Sequence, residues 1–172
     1  MNRSLVLCLL AASLAAPALA RNTTYMLPLA EVIDSPEAKA RLDGSVKFYF
    51  GEKTLPEGAE QKGFDVISRI GKASRWRGAA AGNSAGGGPP PVSATRTSSE
   101  QDEDITACKA AALEALVALQ DKAKQLGANA VVDFVSYYKN TTFSSATQYE
   151  CHAGATGGHL TFKATYAVLP KG

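Results

Sequence analysis

Few residues of this 172-residue chain could form a covalent bond, hold a metal or attack a substrate: Cys8, inside the apolar run near the start, and Cys108, Cys151, His152 and His159, with Glu150 beside them. Cys108 and Cys151 admit two chemistries. In an oxidising compartment an even pair of cysteines reads as a disulfide, whereas a free Cys151 would be a thiol with His152 as its base. His152 and His159, helped by Glu150 and a reduced Cys151, are the weak candidates for a metal site. A structural zinc takes four converging ligands, and neighbours such as Cys151 and His152 on an extended segment point apart. No Ser-His-Asp set with any geometry can be nominated, because the serines gather in the low-complexity middle of the chain.

The compartment decides between these chemistries, and the first twenty residues bear on it. Arg3 precedes an apolar run from Leu5 to Ala16, and Ala18-Leu19-Ala20 forms a small-residue cleavage site. This pattern is a secretory signal peptide over 1–20, too short to span a bilayer. Position 21 is Arg21 and not the cysteine of a lipid anchor. The expectation is a periplasmic or secreted protein cut after Ala20, its formal charge lowered from +2 to +1 by the loss of Arg3. Near-neutral charge favours neither a nucleic-acid footprint nor a membrane-surface patch. Export leaves Cys108 and Cys151 as a disulfide pair, whose closed loop stabilises the fold by about 4 kcal/mol in the chain-entropy model.

Two further clusters look like motifs and are better read otherwise. Gly71-Lys72 lacks the rest of a phosphate loop: Val66 stands where the first glycine belongs, and Ala73 follows the lysine, so no nucleotide is expected. Arg69, Lys72, Arg75 and Arg77 around Trp76 have the makings of a single-strand nucleic-acid patch. The favoured reading is a solvated strand edge whose charges keep other chains from pairing with it.

The elements that must position these residues follow from periodicity. RNTTYMLP, at 21–28, reads as loose polar chain. Asp34-Ser35 before Pro36 and Glu37 start a short helix that ends at Leu42. Val46, Phe48 and Phe50 alternate with Lys47 and Tyr49 as a half-buried strand, and a second strand over 63–76 bends at Gly71. Residues 78–104 are a Gly/Pro/Ser-rich linker too poor in apolar groups to order. A long helix follows, capped at Asp104 or Thr106, with Ala112, Leu116, Leu119, Ala123 and Leu126 as its apolar stripe and Gly127 as its stop. Val132 and Phe134 share one face of the next strand, and a polar loop over 140–158 holds Cys151. In the last strand Leu160, Phe162, Ala164, Tyr166 and Val168 face inward, opposite a wet face of His159, Thr161, Lys163 and Thr165.

The expected fold is therefore α+β: a small antiparallel sheet of about four strands with one long helix packed on one face, stapled by the disulfide. Its parts are 1–20 signal peptide, 21–77 short helix and two strands, 78–104 linker, and 105–172 a helix-strand-strand core completing a single domain.

The run from Cys108 through Glu114-Ala115-Leu116, Gly127-Ala128-Asn129-Ala130-Val131-Val132, Ser136-Tyr137-Tyr138-Lys139 and Tyr149-Glu150-Cys151, with Val46-Lys47-Phe48-Tyr49-Phe50-Gly51, resembles a family of small exported bacterial proteins of unknown role. Its members often carry the label "excinuclease ATPase subunit". No phosphate loop, Walker acid or paired-cysteine zinc site supports that label here. More distantly, the helix, the Gly127–Val131 turn and the strand resemble YbjQ-like heavy-metal-binding domains and the envelope-stress lipoproteins of the Rcs pathway. The resemblance implies a small α+β domain whose business is self-association or protein contact. In the stress sensors it also implies disulfides from the helix start to the loop after the next strand, a placement that Cys108 and Cys151 fit. One cysteine pair and no lipid-anchor cysteine leave the tethered-sensor role behind.

These readings converge on a non-enzymatic exported protein acting through protein contacts, in envelope homeostasis or stress sensing, with periplasmic metal binding as the alternative. Tyr137, Tyr138 and Tyr149 form the candidate contact surface. An envelope protein is the expected partner and homo-oligomerisation stays open. No cofactor, nucleotide, nucleic acid or membrane-spanning segment is expected.

Overall fold

The computed structural model describes residues 21–51, 55, 57–76 and 98–170. The expected signal peptide and most of the expected linker lie outside the described residues, as do the side chains of Arg75 and Trp76 and all of Arg77. In chain order the elements are β1 (Thr23–Pro28), α1 (Ala30–Ile33), α2 (Pro36–Arg41), β2 (Lys47–Phe50), β3 (Glu60–Gly71), α3 (Ala73–Trp76), α4 (Ser98–Gln125), β4 (Ala130–Tyr138), β5 (Thr141–Phe143), β6 (Gln148–Gly154) and β7 (Gly157–Val168).

The strands form one seven-stranded mixed sheet in place of the expected four-stranded antiparallel one. Its order is β1-β6-β7-β4-β2, with β3 also on β7 and β5 on β4. Three strands lie in segments read as loop. β1 and β6 alternate like any half-buried strand, but their few buried apolar residues (Leu27 in β1; Tyr149, Cys151 and Ala153 in β6) stand among polar neighbours and make a weak apolar signal. They pair antiparallel with each other from Thr23↔Ala153 to Pro28↔Gln148. β2 runs parallel to β4, Lys47 opposite Ala130. Parallel neighbours need a crossover, here the stretch containing β3 and α4.

Long β7 is the spine. β3 pairs with it from Glu60↔Val168 to Gly71↔Gly158, while β4 and β6 share its other edge. β3 ends at Gly71, and the expected continuation to Trp76 is the short helix α3. The phase of β4 also differs from expectation. Asp133 has φ 48° at a register shift between Val132 and Val135, so Val131 and Phe134 share the main core while Val132 faces the other side. A bulge adds one residue and reverses the alternation beyond it.

α4 begins at Ser98, so the last residues assigned to the linker are helical and neither Asp104 nor Thr106 is its cap. Asp104 is instead buried, receiving the Arg21 guanidinium at 2.7 Å and the Tyr25 hydroxyl at 3.0 Å. Leu116, Leu119 and Ala123 meet the sheet side of the core as their spacing dictates, with Phe50, Phe134 and Phe162 in edge-to-face contacts beneath. The outer side of α4 is strapped by the N-terminal segment. Ser35 caps α2 by accepting from the Ala38 N–H at 3.1 Å. Arg41 donates both its terminal nitrogens to Glu114 at 2.8 and 3.1 Å, a two-pronged pair that holds the guanidinium charged. Gln120 donates to the Arg41 carbonyl and accepts from the Asp43 N–H, and Lys124 with Ser45 holds the Asp43 carboxyl below its ordinary range.

Two glycines set how near α4 comes to the sheet. A Cβ on Gly71 would stand 2.1 Å from the Ala107 carbonyl oxygen, and one on Gly158 would stand 2.6 Å from the Cys108 nitrogen. The helix backbone therefore rests on the strand backbone. Gly158→Ala should force α4 outward and cost roughly 1–3 kcal/mol, the usual range for overpacking. A urea midpoint equal to that of the unsubstituted protein would show that the close approach is not maintained.

Candidate functional site

Cys108 lies near the start of the buried part of α4, and Cys151 is the inward residue of β6 that meets it; their sulfurs are bonded, with 5.9 Å between the Cα atoms. Both are fully buried. The thiol-and-base reading fails on this geometry. Cys151 spends its sulfur in the bridge and faces the helix, while His152, next in the strand, faces away.

His152 is held from three sides. Its Nε2 lies 2.8 Å from Glu150 Oε1, its Nδ1 lies 3.2 Å from Thr24 Oγ1, and its ring stacks on Tyr138 at 3.5 Å between centroids. His159 is its cross-strand partner and binds Thr156 Oγ1 through Nε2 at 2.7 Å. A shallow cavity of about 260 Å³ opens here between Arg21, Asn22, Tyr138, His152 and His159. Thus the two candidate ligands are brought together, but three of their nitrogens already have partners within the protein. Among the described residues no group of three or more His, Cys, Asp or Glu side chains is gathered to hold a metal.

The three tyrosines do not form one surface. Tyr137 and Tyr138 are half-buried, Tyr137 under the Lys163 ammonium and Tyr138 over His152. Tyr149 is completely buried, 6.0 Å from Phe162, and leaves the candidate contact surface for the core. Among the described residues its hydroxyl and that of Tyr166 have no hydrogen-bond partner. Burial first, and Glu31 second, push the Tyr149 phenol far above its ordinary range; burial, aided by Asp65 and opposed by Arg69, pushes Tyr166 up to about 12.

The surface that periodicity missed lies on the other face of the sheet. Among the described residues Phe64 (70 % exposed), Val66 (44 %), Ile70 (50 %) and Met26 (42 %) are the large apolar side chains left in solvent. Phe64, Val66 and Ile70 stand opposite Thr165, Lys163 and His159, and Met26 stands opposite Glu150, two residues from His152. Register therefore puts all four on the face that α4 does not cover. That face also holds a small cluster of Ala130, Val132 and Ala167 under Tyr49, Leu55 and Leu169, so it is not the plain wet face expected. The signal was present in the alternation of Phe64, Val66 and Ile70 against Asp65, Ile67 and Arg69.

No family model, no curated protein and no solved structure matches the chain. Among the described residues no helix is long and apolar enough to cross a membrane.

Replacing Cys108 and Cys151 together by alanine should lower stability by about 4 kcal/mol, from the loop-closure entropy that a bridge across 43 positions removes from the unfolded chain. Denaturant midpoints with and without reductant check this; an unchanged midpoint would mean the bridge only decorates the fold. Above the ordinary tyrosine pKa of ~10 the unfolded chain ionises Tyr149 and Tyr166 while the folded chain keeps their protons, so stability falls as pH rises from there toward 12. Ultraviolet titration should find two tyrosines that ionise only as near-ultraviolet dichroism is lost.

Proposed function

We propose that this is an exported envelope protein that works by contact with another protein and not by catalysis, in envelope homeostasis or stress sensing. The observation that carries the reading is the row of Phe64, Val66 and Ile70 along β3 on the sheet face that α4 leaves open, with Met26 of β1 exposed on the same face beyond β6 and β7. Solitary apolar residues on a surface are ordinary, whereas several on one sheet face make a recognition patch. The buried disulfide supports the compartment half of the reading, since such bridges persist where thiols are oxidised. Metal binding, the alternative, has His152 and His159 in its favour as neighbours, but both already serve Glu150, Thr24 and Thr156.

A photo-crosslinking residue at Met26 in the exported protein should trap a discrete partner, and the same residue at Lys39, exposed on α2, should not. In the adduct this chain should begin at Arg21, with Cys108 and Cys151 oxidised. Absence of any adduct specific to Met26 would remove the contact reading, and a chain retaining residues 1–20 would remove export.

A further inference from the structure

We propose that β3 is a dimerisation edge: two copies of this chain pair antiparallel through it, about a two-fold axis at Ile67. This goes beyond the contact reading in naming a partner, a strand and a register, and either can fail alone.

β3 is twelve residues long, and among the described residues it pairs with β7 alone. Among the described residues no strand therefore pairs with the backbone donors and acceptors on its other side. Two of these groups are occupied from within the strand. The Val66 N–H donates to Asp65 Oδ1 at 2.8 Å, and the Ser68 carbonyl accepts from Arg69 Nη1 at 2.8 Å. From Phe64 to Ile70 the even-numbered residues thus turn their backbone groups to this edge and their side chains to the open face, while Asp65, Ile67 and Arg69 turn their side chains toward α4.

The sequence around Ile67 is complementary to itself when reversed. A symmetric pairing centred there sets Asp65 opposite Arg69 of the second copy and Arg69 opposite its Asp65. Phe64 meets Ile70 twice on the open face, and Val66 meets Ser68 with their edge groups exchanging hydrogen bonds. Neighbouring symmetric registers lose this match. Centring on Asp65 or on Arg69 sets like charges against each other, while centring on Val66 or Ser68 leaves both charges facing Ile67 or a glycine. The two side chains that now cover their own strand's edge are the two that the register brings together across it. Like-signed charge would guard an edge, but an acid and a base placed evenly about the centre select one partner.

There is room for the second strand. A groove of about 430 Å³ runs between β3 and α4, from Asp65 and Arg69 to Ala118, Asp121, Lys122 and Gln125, where the incoming Asp65 and Arg69 side chains would enter. The joined sheets keep both α4 helices on one face and fuse the two Phe64, Val66 and Ile70 stripes on the other. Such an interface is isologous and closes at two copies.

Light scattering on the full exported chain over a concentration series should report twice the monomer mass. Asp65→Arg and Arg69→Asp should each weaken the dimer by at least about tenfold, because each turns two attractions into repulsions. The double variant D65R/R69D restores the match and should restore the dimer. Val66→Pro removes an N–H that β7 does not use, at an edge position where proline is tolerated; it should yield a folded monomer by circular dichroism. A wild-type chain that is monomeric throughout, a double variant no better than the single ones, or a dimeric Val66→Pro chain would each overturn the proposal. Crosslinks from Met26 in the Val66→Pro protein report separately on the contact reading.

Discussion

The structure depends on one close approach, that of the α4 backbone near Ala107 and Cys108 to the strand backbone at Gly71 and Gly158. Side chains usually hold helix and sheet apart. Here glycine removes them on the sheet side, alanines thin the helix side, and a covalent bridge from Cys108 to β6 locks the contact at its tightest point. Because β3, β6 and β7 converge there, the bridge joins the helix to the spine of the sheet and not to a peripheral loop. Farther along, where Leu116, Leu119 and Phe162 fill the gap, packing takes over from the sulfur.

That arrangement leaves the molecule with two unlike faces. The helix covers one, and the N-terminal segment covers the helix in turn through Leu29, Val32 and Ala38 and through the Arg41–Glu114 pair. α4 is consequently buried over much of its circumference: Ala110, Ala111, Ala112 and Leu113 are consecutive and all inside. A helix so enclosed has little free surface for recognition. Among the described residues, the opposite sheet face and the β3 edge are where large apolar side chains stand in solvent.

Burial also explains the fate of the chemically suggestive residues. His152 and Glu150 lie on the open face but serve each other, Thr24 and Tyr138. Asp104 looks from its neighbours Asp102 and Glu103 like one more acid before a helix. It is instead an interior anchor that holds Arg21 and Tyr25, tying β1 to α4. Similar residue types carry different tasks depending on which element delivers them and to which side.

The chain by itself determined whatever depends on near neighbours: the Ser35-Pro36 start of α2, the stripe of α4 with its Gly127 stop at φ 67°, and the strand cores around Phe48 and Phe162. Periodicity reports these because helix and strand repeat within a few residues. Tertiary structure alone decided that β1 and β6 are strands, since each is stabilised mainly by the other across 120 and more positions of sequence. It alone decided the side on which each strand's residues fall, because the Asp133 bulge reverses a phase that alternation assumes constant. And it decided that Tyr149 is core while Phe64 is surface, for burial belongs to the partner strand and the covering helix, neither of which is written beside the residue they cover.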